Sequence, residues 1–173
     1  VSISNNHILD QGVENYYNTI NLLEENLIKY VGNSVEYNHS NVEVFKVNNV
    51  KVAFISFNSI LDKKSNGTFA EYDLSVIKNQ IRVIKRDSSI DHIILSLHWG
   101  HEYSNLPSLT QIKEARSLID IGASIIVGHH PHVIQPIEEY NDGLIIYSLG
   151  NFIFDMKWSE ETKIGMIVDI HLS

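Results

Sequence analysis

Ala123-Ser124-Ile125-Ile126-Val127-Gly128-His129-His130-Pro131-His132 carries an apolar run into a glycine and then three imidazoles within four positions. Ala123 to Val127 has the length and content of a short buried strand. The turn behind such a strand is where an α/β sheet exposes its working groups. Imidazole is the commonest protein metal ligand and the side chain whose proton moves near neutral pH. Two further stretches repeat the arrangement. Val1-Ser2-Ile3-Ser4 runs into Asn5-Asn6-His7, and Ile93-Ile94-Leu95-Ser96-Leu97 runs into His98-Trp99-Gly100. Three strand ends are therefore expected to deliver histidine to one edge of one sheet.

Outward from that stretch, Ile90 to Leu97 reads as a buried strand. Ser108 with Gln111 three positions later forms a capping-box pattern for a helix running to Ile121, with Gly122 as its stop. Val133 to Glu139 and Leu144 to Leu149 flank Tyr140-Asn141-Asp142-Gly143, whose Asp-Gly is a hairpin signal. Ile164 to Leu172 reads as a closing strand. Towards the N-terminus, Val13, Tyr16, Tyr17, Ile20, Leu23, Leu27 and Tyr30 recur at helical spacing, and Gly32 is placed to end that helix. Val42 to Val47 and Val50 to Phe57 flank Asn48-Asn49 as a second hairpin. Asp62 to Phe69 reads as an exposed polar loop. Asp73 caps a helix carrying Val76, Ile77, Ile81 and Ile84. The pattern is mixed α/β, with strand–helix–strand crossovers in the middle and hairpins elsewhere.

A chain of 173 residues with 43% hydrophobic and 20% charged content reads as one globular domain. Its formal net charge of -8 argues against nucleic acid or an anionic membrane as partner, since both want a basic face. An anionic substrate remains compatible, because a bound metal reverses the sign locally. Without cysteine, thiolate catalysis, disulfides and Cys-type zinc sites are excluded. No apolar run reaches the roughly 18 to 20 residues of a membrane span. The chain opens in mid-strand on Val1, which is expected of a segment of a longer protein.

Three motifs carry chemistry. In an extended His130-Pro131-His132, residues two apart project to one side while proline fixes the backbone between them. That suits a pair of metal ligands; the competing reading is a polar turn with surface histidines. His129 points the other way and is a bystander. His98 ends an aliphatic run, with Trp99 placed to wall off water and Glu102 to orient an imidazole; a structural histidine and a solvated glutamate are the alternatives. Asn6 offers a neutral carbonyl ligand, and His7 beside it can protonate a leaving oxygen with Asp10 setting its tautomer. The plainer reading of that stretch is helix capping. Asn151, after Gly150, is aimed at the same edge, where a turn-forming role competes with substrate contact. Phe152, Phe154 and Trp158 read as core. The glycosylation-type patterns Asn38-His39-Ser40 and Asn66-Gly67-Thr68 read as accidental.

In combination, a strand followed by Asn-His, a strand followed by His and a strand followed by His-x-His resemble the last three motifs of the calcineurin-like metallophosphoesterase fold. SNNHILDQG (Ser4 to Gly12), YVGNS (Tyr30 to Ser34), LHWGHEY (Leu97 to Tyr103), GASIIVGHHPHVIQPIE (Gly122 to Glu138) and YSLGNFIFD (Tyr147 to Asp155) look like the bacterial capsule-synthesis family, CapA type, associated with poly-γ-glutamate capsules. The resemblance implies a layered α/β architecture with a mixed sheet and a two-metal centre of divalent ions such as Mn, Fe or Zn. It implies Asn6, His98, His130 and His132 as ligands, and His7 as general acid with Asp10. The Gly-Asp and Asn-Leu-Glu motifs that supply acidic residues in that family are absent here. The N-terminal part of the domain is accordingly expected to be missing, leaving a weak set of neutral ligands, an inactive segment, and an apolar sheet face and strand edge open to the upstream part or another copy. The implied role is a metal-dependent hydrolase or transferase in synthesis or release of an anionic capsular polymer, at the bacterial cell envelope and beside other capsule-assembly proteins. Its rivals are a non-catalytic component of a capsule-assembly complex, and a carbohydrate-binding module using Trp99, Tyr103 and Trp158.

Overall fold

Apolar runs broken by polar turns build a six-stranded mixed sheet in the computed structural model, which describes residues 1–33, 41–60 and 67–172. The elements are α1 (Gly12–Glu25), β1 (Val42–Val47), β2 (Val50–Asn58), α2 (Leu74–Lys85), β3 (His92–His98), α3 (Leu109–Asp120), β4 (Ile125–His129), β5 (Ile137–Tyr140) and β6 (Gly143–Ile146). The strand order is β1-β2-β3-β4-β6-β5. β2, β3, β4 and β6 are parallel, and antiparallel hairpin partners close both edges. Asn48 and Asn141 take the left-handed backbone that tight hairpin turns require.

Burial alternates along β3, whereas β2 ends in a continuous buried run from Ile55 to Asn58. Ala53, Ile55, Phe57, Ile93, Leu95, Leu97 and Ile126 pack with Ile77, Ile81 and Ile84 of α2 and with Ala115 and Leu118 of α3 in one core. The opposite face presents Val52, Phe54, Ile94, Ser96, His98, Val127 and His129 to a cavity of about 890 Å³. The sheet is thus covered by helices on one side and open on the other. Both helices start where their caps predict. Asp73 accepts from the backbone N–H groups of Ser75 and Val76, and Ser108 and Gln111 close a reciprocal capping box.

Several expectations are corrected. α1 stops at Glu25, and Leu27 turns left-handed at φ 55°, so Leu27 and Tyr30 lie outside it. Gly32 serves a different purpose, since a Cβ there would stand 2.6 Å from the Ser4 backbone nitrogen. It lets the N-terminal segment pass, and that segment pairs with Val31 (Ile3 N–H to Val31 O, 2.9 Å). Val76 is exposed on α2. Phe69 is buried against Ile3, Leu9 and Tyr16 in a second small core and is not part of an exposed loop. Residues 164–172 form no strand and hold only a bridge from Gly165 to Gly150. Phe152, Phe154 and Trp158 are exposed, whereas Trp99 is buried. Asn38-His39-Ser40, Asn66 and most of the Asp62 to Phe69 loop fall outside the described residues.

Gly128 sets the spacing beneath the site. A Cβ there would lie 1.9 Å from the Tyr147 carbonyl oxygen and 2.6 Å from the Trp99 indole nitrogen. Gly128→Ala therefore has to push strands apart. It is expected to destabilise the chain by about 3 kcal/mol or more in urea unfolding. An unchanged midpoint would show that β4 and β6 tolerate a wider spacing than this.

Candidate metal centre

β3 and β4 are adjacent parallel strands, so their C-terminal ends open at the same height, His98 opposite His129. The two following loops are laced together by backbone hydrogen bonds. Trp99 N–H donates to His129 O (3.0 Å) and Tyr103 N–H to Pro131 O (2.8 Å). The Gln135 amide adds a bond to Ser104 O at 2.7 Å. The N-terminal loop is laid over this edge by Ser4, whose hydroxyl donates to Ala70 O at 2.7 Å.

These elements bring Asn6, His98, His130, His132 and Glu102 together. The His98 Nε2–H donates to Asn6 Oδ1 at 2.8 Å. Donor atoms at about 2.1 Å from one tetrahedral ion stand about 3.4 Å apart, so this pair would open slightly and His98 would move its proton to Nδ1 to share an ion. The His98 and His130 ring centroids are 4.9 Å apart, and those of His130 and His132 are 5.8 Å apart. His130 and His132 reach one side of the loop differently from the extended geometry expected. Both hold positive φ, 99° and 62° respectively. Left-handed backbone is uncommon outside glycine, and such strain clusters at functional sites.

Tautomers are set by the neighbours. Asn151 donates its amide to Thr162 O (2.9 Å), which turns its Oδ1 towards His132 Nδ1 (2.9 Å). His132 must then carry its proton on Nδ1 and leave Nε2 as a lone pair. That Nε2 lies 3.9 Å from a Glu102 carboxylate oxygen. His7 Nδ1 faces Asp10 Oδ2 at 2.9 Å, and its Nε2 lies 3.4 Å from the Asn6 amide. His7 and Asp10 are both exposed and sit at the rim.

Burial favours the neutral form of His98, His129 and His130. It is the main cause that pushes the His98 pKa down to about 3, reinforced by His130, His129 and His132. Burial also lowers His129 and His130, with the Glu102 charge opposing it at His130. His130 Nδ1 is buried without a hydrogen-bond partner. A buried, unpaired nitrogen beside neutral imidazoles and a carboxylate suits a divalent cation of borderline softness. Trp99 is a core residue, donating to Tyr147 O at 3.1 Å and stacked on Tyr147. It forms no wall towards solvent. His129 lines the open sheet face together with His98. Tyr103 and Phe154 flank the His132 ring at 6.0 and 5.6 Å. Their part was not legible in the sequence, where only the adjacent HEY and NFIFD motifs marked the segments.

A mixed α/β sheet with histidines at the ends of β3 and β4, and an asparagine brought beside them by the N-terminal loop, defines the class. The chain belongs to the family described as bacterial capsule synthesis protein PGA_cap, which it matches over residues 1–156. It is 36% identical over 181 residues to the capsule biosynthesis protein CapA of Bacillus anthracis, covering 99% of this chain and 44% of that protein. It is 37% identical over 176 residues to the PGA biosynthesis protein CapA of Bacillus subtilis (strain 168), covering 98% of this chain and 46% of that one. The chain thus spans under half the length of either relative. A solved structure described as a novel phosphatase, from Mycoplasma pneumoniae, overlays 70% of this chain and 42% of its own, with 19% identity and a TM-score of 0.48.

The lowered His98 pKa fixes the sign of a pH effect. Between about 3 and the ordinary imidazole value of 6.5 the unfolded chain carries a proton on His98 that the folded chain lacks, so stability rises with pH there and falls as pH drops from 6.5. In EDTA, the urea midpoint is expected to fall between pH 7 and pH 5, and to fall less in His98→Gln. Equal losses in the two proteins would show that His98 is not held neutral by the fold.

Proposed function

We propose that this chain carries the histidine side of a divalent-metal centre in a hydrolase or transferase that serves synthesis or release of an anionic capsular polymer, poly-γ-glutamate or a relative. The observation that supports it most is the meeting of Asn6, His98, His130 and His132 at one sheet edge, with His98 Nε2 and Asn6 Oδ1 at 2.8 Å. Those four residues would hold the metal. When bound, it would supply Lewis-acid polarisation of the scissile group and activation of water.

The remaining steps belong to the chain's own side chains. His7 sits at the rim with Nδ1 on Asp10 and Nε2 beside the Asn6 amide, next to the candidate ligands, where it is the group placed to pass a proton to a departing oxygen or nitrogen. The Asp10 carboxylate holds the ring's orientation. Asn151 keeps the His132 Nε2 lone pair turned into the site. Partners in this reading are the anionic polymer or its precursor, other capsule-assembly proteins, and a further layer or copy covering the open sheet face. Its place is the extracytoplasmic side of the cell envelope. Among the described residues no helix is long and apolar enough to cross a membrane.

The test is made in the producing bacterium. His7→Ala is expected to abolish or reduce polymer by at least about tenfold while metal content stays at the wild-type level. His132→Ala is expected to lose both polymer and metal. Polymer unchanged in His7→Ala would favour a non-catalytic component of a capsule-assembly complex. A protein without metal that keeps its polymer yield after His98→Ala and His132→Ala would overturn the reading.

A further inference from the structure

We infer that Glu102 is itself a metal ligand, and that Glu102, His130 and His132 form a site for a single divalent transition-metal ion alongside the Asn6–His98 pair. This rests on the metal-dependent reading above and adds to it the carboxylate that the four neutral ligands lack. One potential ligand atom from each of these three residues lies within 4.8 Å of the other two. Around a tetrahedral zinc ion, donor atoms stand about 3.4 Å apart, so closure asks roughly an ångström of side-chain movement. Glu102 is half-exposed, and its carboxylate has the freedom to make that movement.

Three features separate this from a chance approach of an exposed carboxylate. First, Glu102 sits on a loop fixed at both sides, by Trp99 N–H to His129 O and by Tyr103 N–H to Pro131 O. The second bond ties the residue next to Glu102 to the residue between the two histidines. Second, His132 has its tautomer chosen. Asn151 takes the Nδ1 proton, leaving Nε2, the atom facing Glu102, as the lone pair. An imidazole ligand held through its other nitrogen by an amide or carboxylate is the usual support of a metal site. Third, His130 Nδ1 is buried with no partner, an orphan that an ordinary polar turn would not retain.

Two imidazoles and one carboxylate form the donor set of catalytic zinc sites that keep a fourth position open for water or substrate. It suits borderline cations over magnesium or calcium, which prefer oxygen donors throughout. The single carboxylate also gives the site a net negative charge that neutral ligands alone cannot provide. Tyr103 and Phe154 both lie against the His132 ring, at 6.0 and 5.6 Å between centroids.

The test is Zn²⁺ titration of the chain by calorimetry, with Co²⁺ absorption as a report on geometry. Wild type is expected to bind one ion, and its Co²⁺ form to show the intense visible bands of low coordination number. Glu102→Gln is expected to weaken Zn²⁺ binding by about tenfold or more and to change those bands, with an unfolding midpoint in EDTA equal to wild type. His132→Ala is expected to behave alike, and His98→Ala to lose less affinity than Glu102→Gln. If Glu102→Gln binds as wild type does, or His98→Ala loses more, the ion sits on Asn6 and His98. The assignment of Glu102 then falls while the metal-dependent reading stands. A chain that binds no Zn²⁺ also overturns the assignment. An ion bound through Glu102, with polymer yield indifferent to His7→Ala, would instead leave the site and remove the catalytic reading.

Discussion

The Trp99 indole N–H reaches the Tyr147 carbonyl at 3.1 Å across a residue with no side chain, Gly128. The rest of the site depends on that contact. It ties the end of β3 to the segment after β6 over the top of β4, and Trp99 stacks on the Tyr147 ring beneath it. A buried indole N–H needs a partner, and here the partner fixes the height at which the chain leaves β3. Glu102 and Tyr103 follow within four residues of Trp99, and the three histidines follow Gly128 directly. The candidate ligand groups are therefore placed by the core. Loops that hung free would lose about the same chemistry to a misplacement of one ångström.

Much of this could be read from the chain. Strand content, both capping patterns and both hairpins depend on local rules, and Asp73, Ser108–Gln111 and Asn141 follow those rules. The meeting of His98 with His130 and His132 follows from the adjacent ends of parallel β3 and β4, whereas the expected strand before Asn6 is not formed: Val1 to Ser4 holds only a bridge from Ser2 to Val31, and Asn6 is brought in by a loop. What was not legible needed tertiary contact. Leu27 and Tyr30 fit the helical period but lie past the end of α1. Gly32 looked like a helix stop because the approach of Ser4, from far along the chain, leaves no local mark. Phe152, Phe154 and Trp158 are apolar yet exposed, since composition alone does not tell a core aromatic from one at a rim. His130 and His132 share a side for a reason opposite to the one their spacing offers, namely left-handed backbone at both.

The two faces of the sheet carry different kinds of information. On the helix side, Ile55, Leu95, Leu97 and Ile126 are fully buried and specify packing. On the other, Phe54, Ile94 and Val127 line the cavity and end, towards the strand C-termini, in Ser96, His98 and His129. An apolar floor that turns polar at one end is the surface expected of a layer whose edge borders a site. It makes the ligand residues part of a boundary, with His98 belonging both to the open face and to the metal centre. Whatever covers that face also decides how much water reaches Asn6 and His98.

Charge completes the picture. The protein carries a formal net charge of -8, and burial favours the neutral form of His98, His129 and His130, which therefore add no compensating positive charge. Neutral imidazoles offer lone pairs, which attract cations. An anionic polymer would be repelled by the chain as a whole and by Glu102 at the site itself. Only a bound cation reverses the local sign, and a divalent ion beside a single carboxylate leaves a net positive centre. The same burial that keeps His98, His129 and His130 from attracting anions leaves them as neutral lone-pair donors, so under the proposed function a bound metal would be the condition for an encounter with an acidic substrate. In such a site, affinity for the polymer and affinity for the ion are one linked equilibrium.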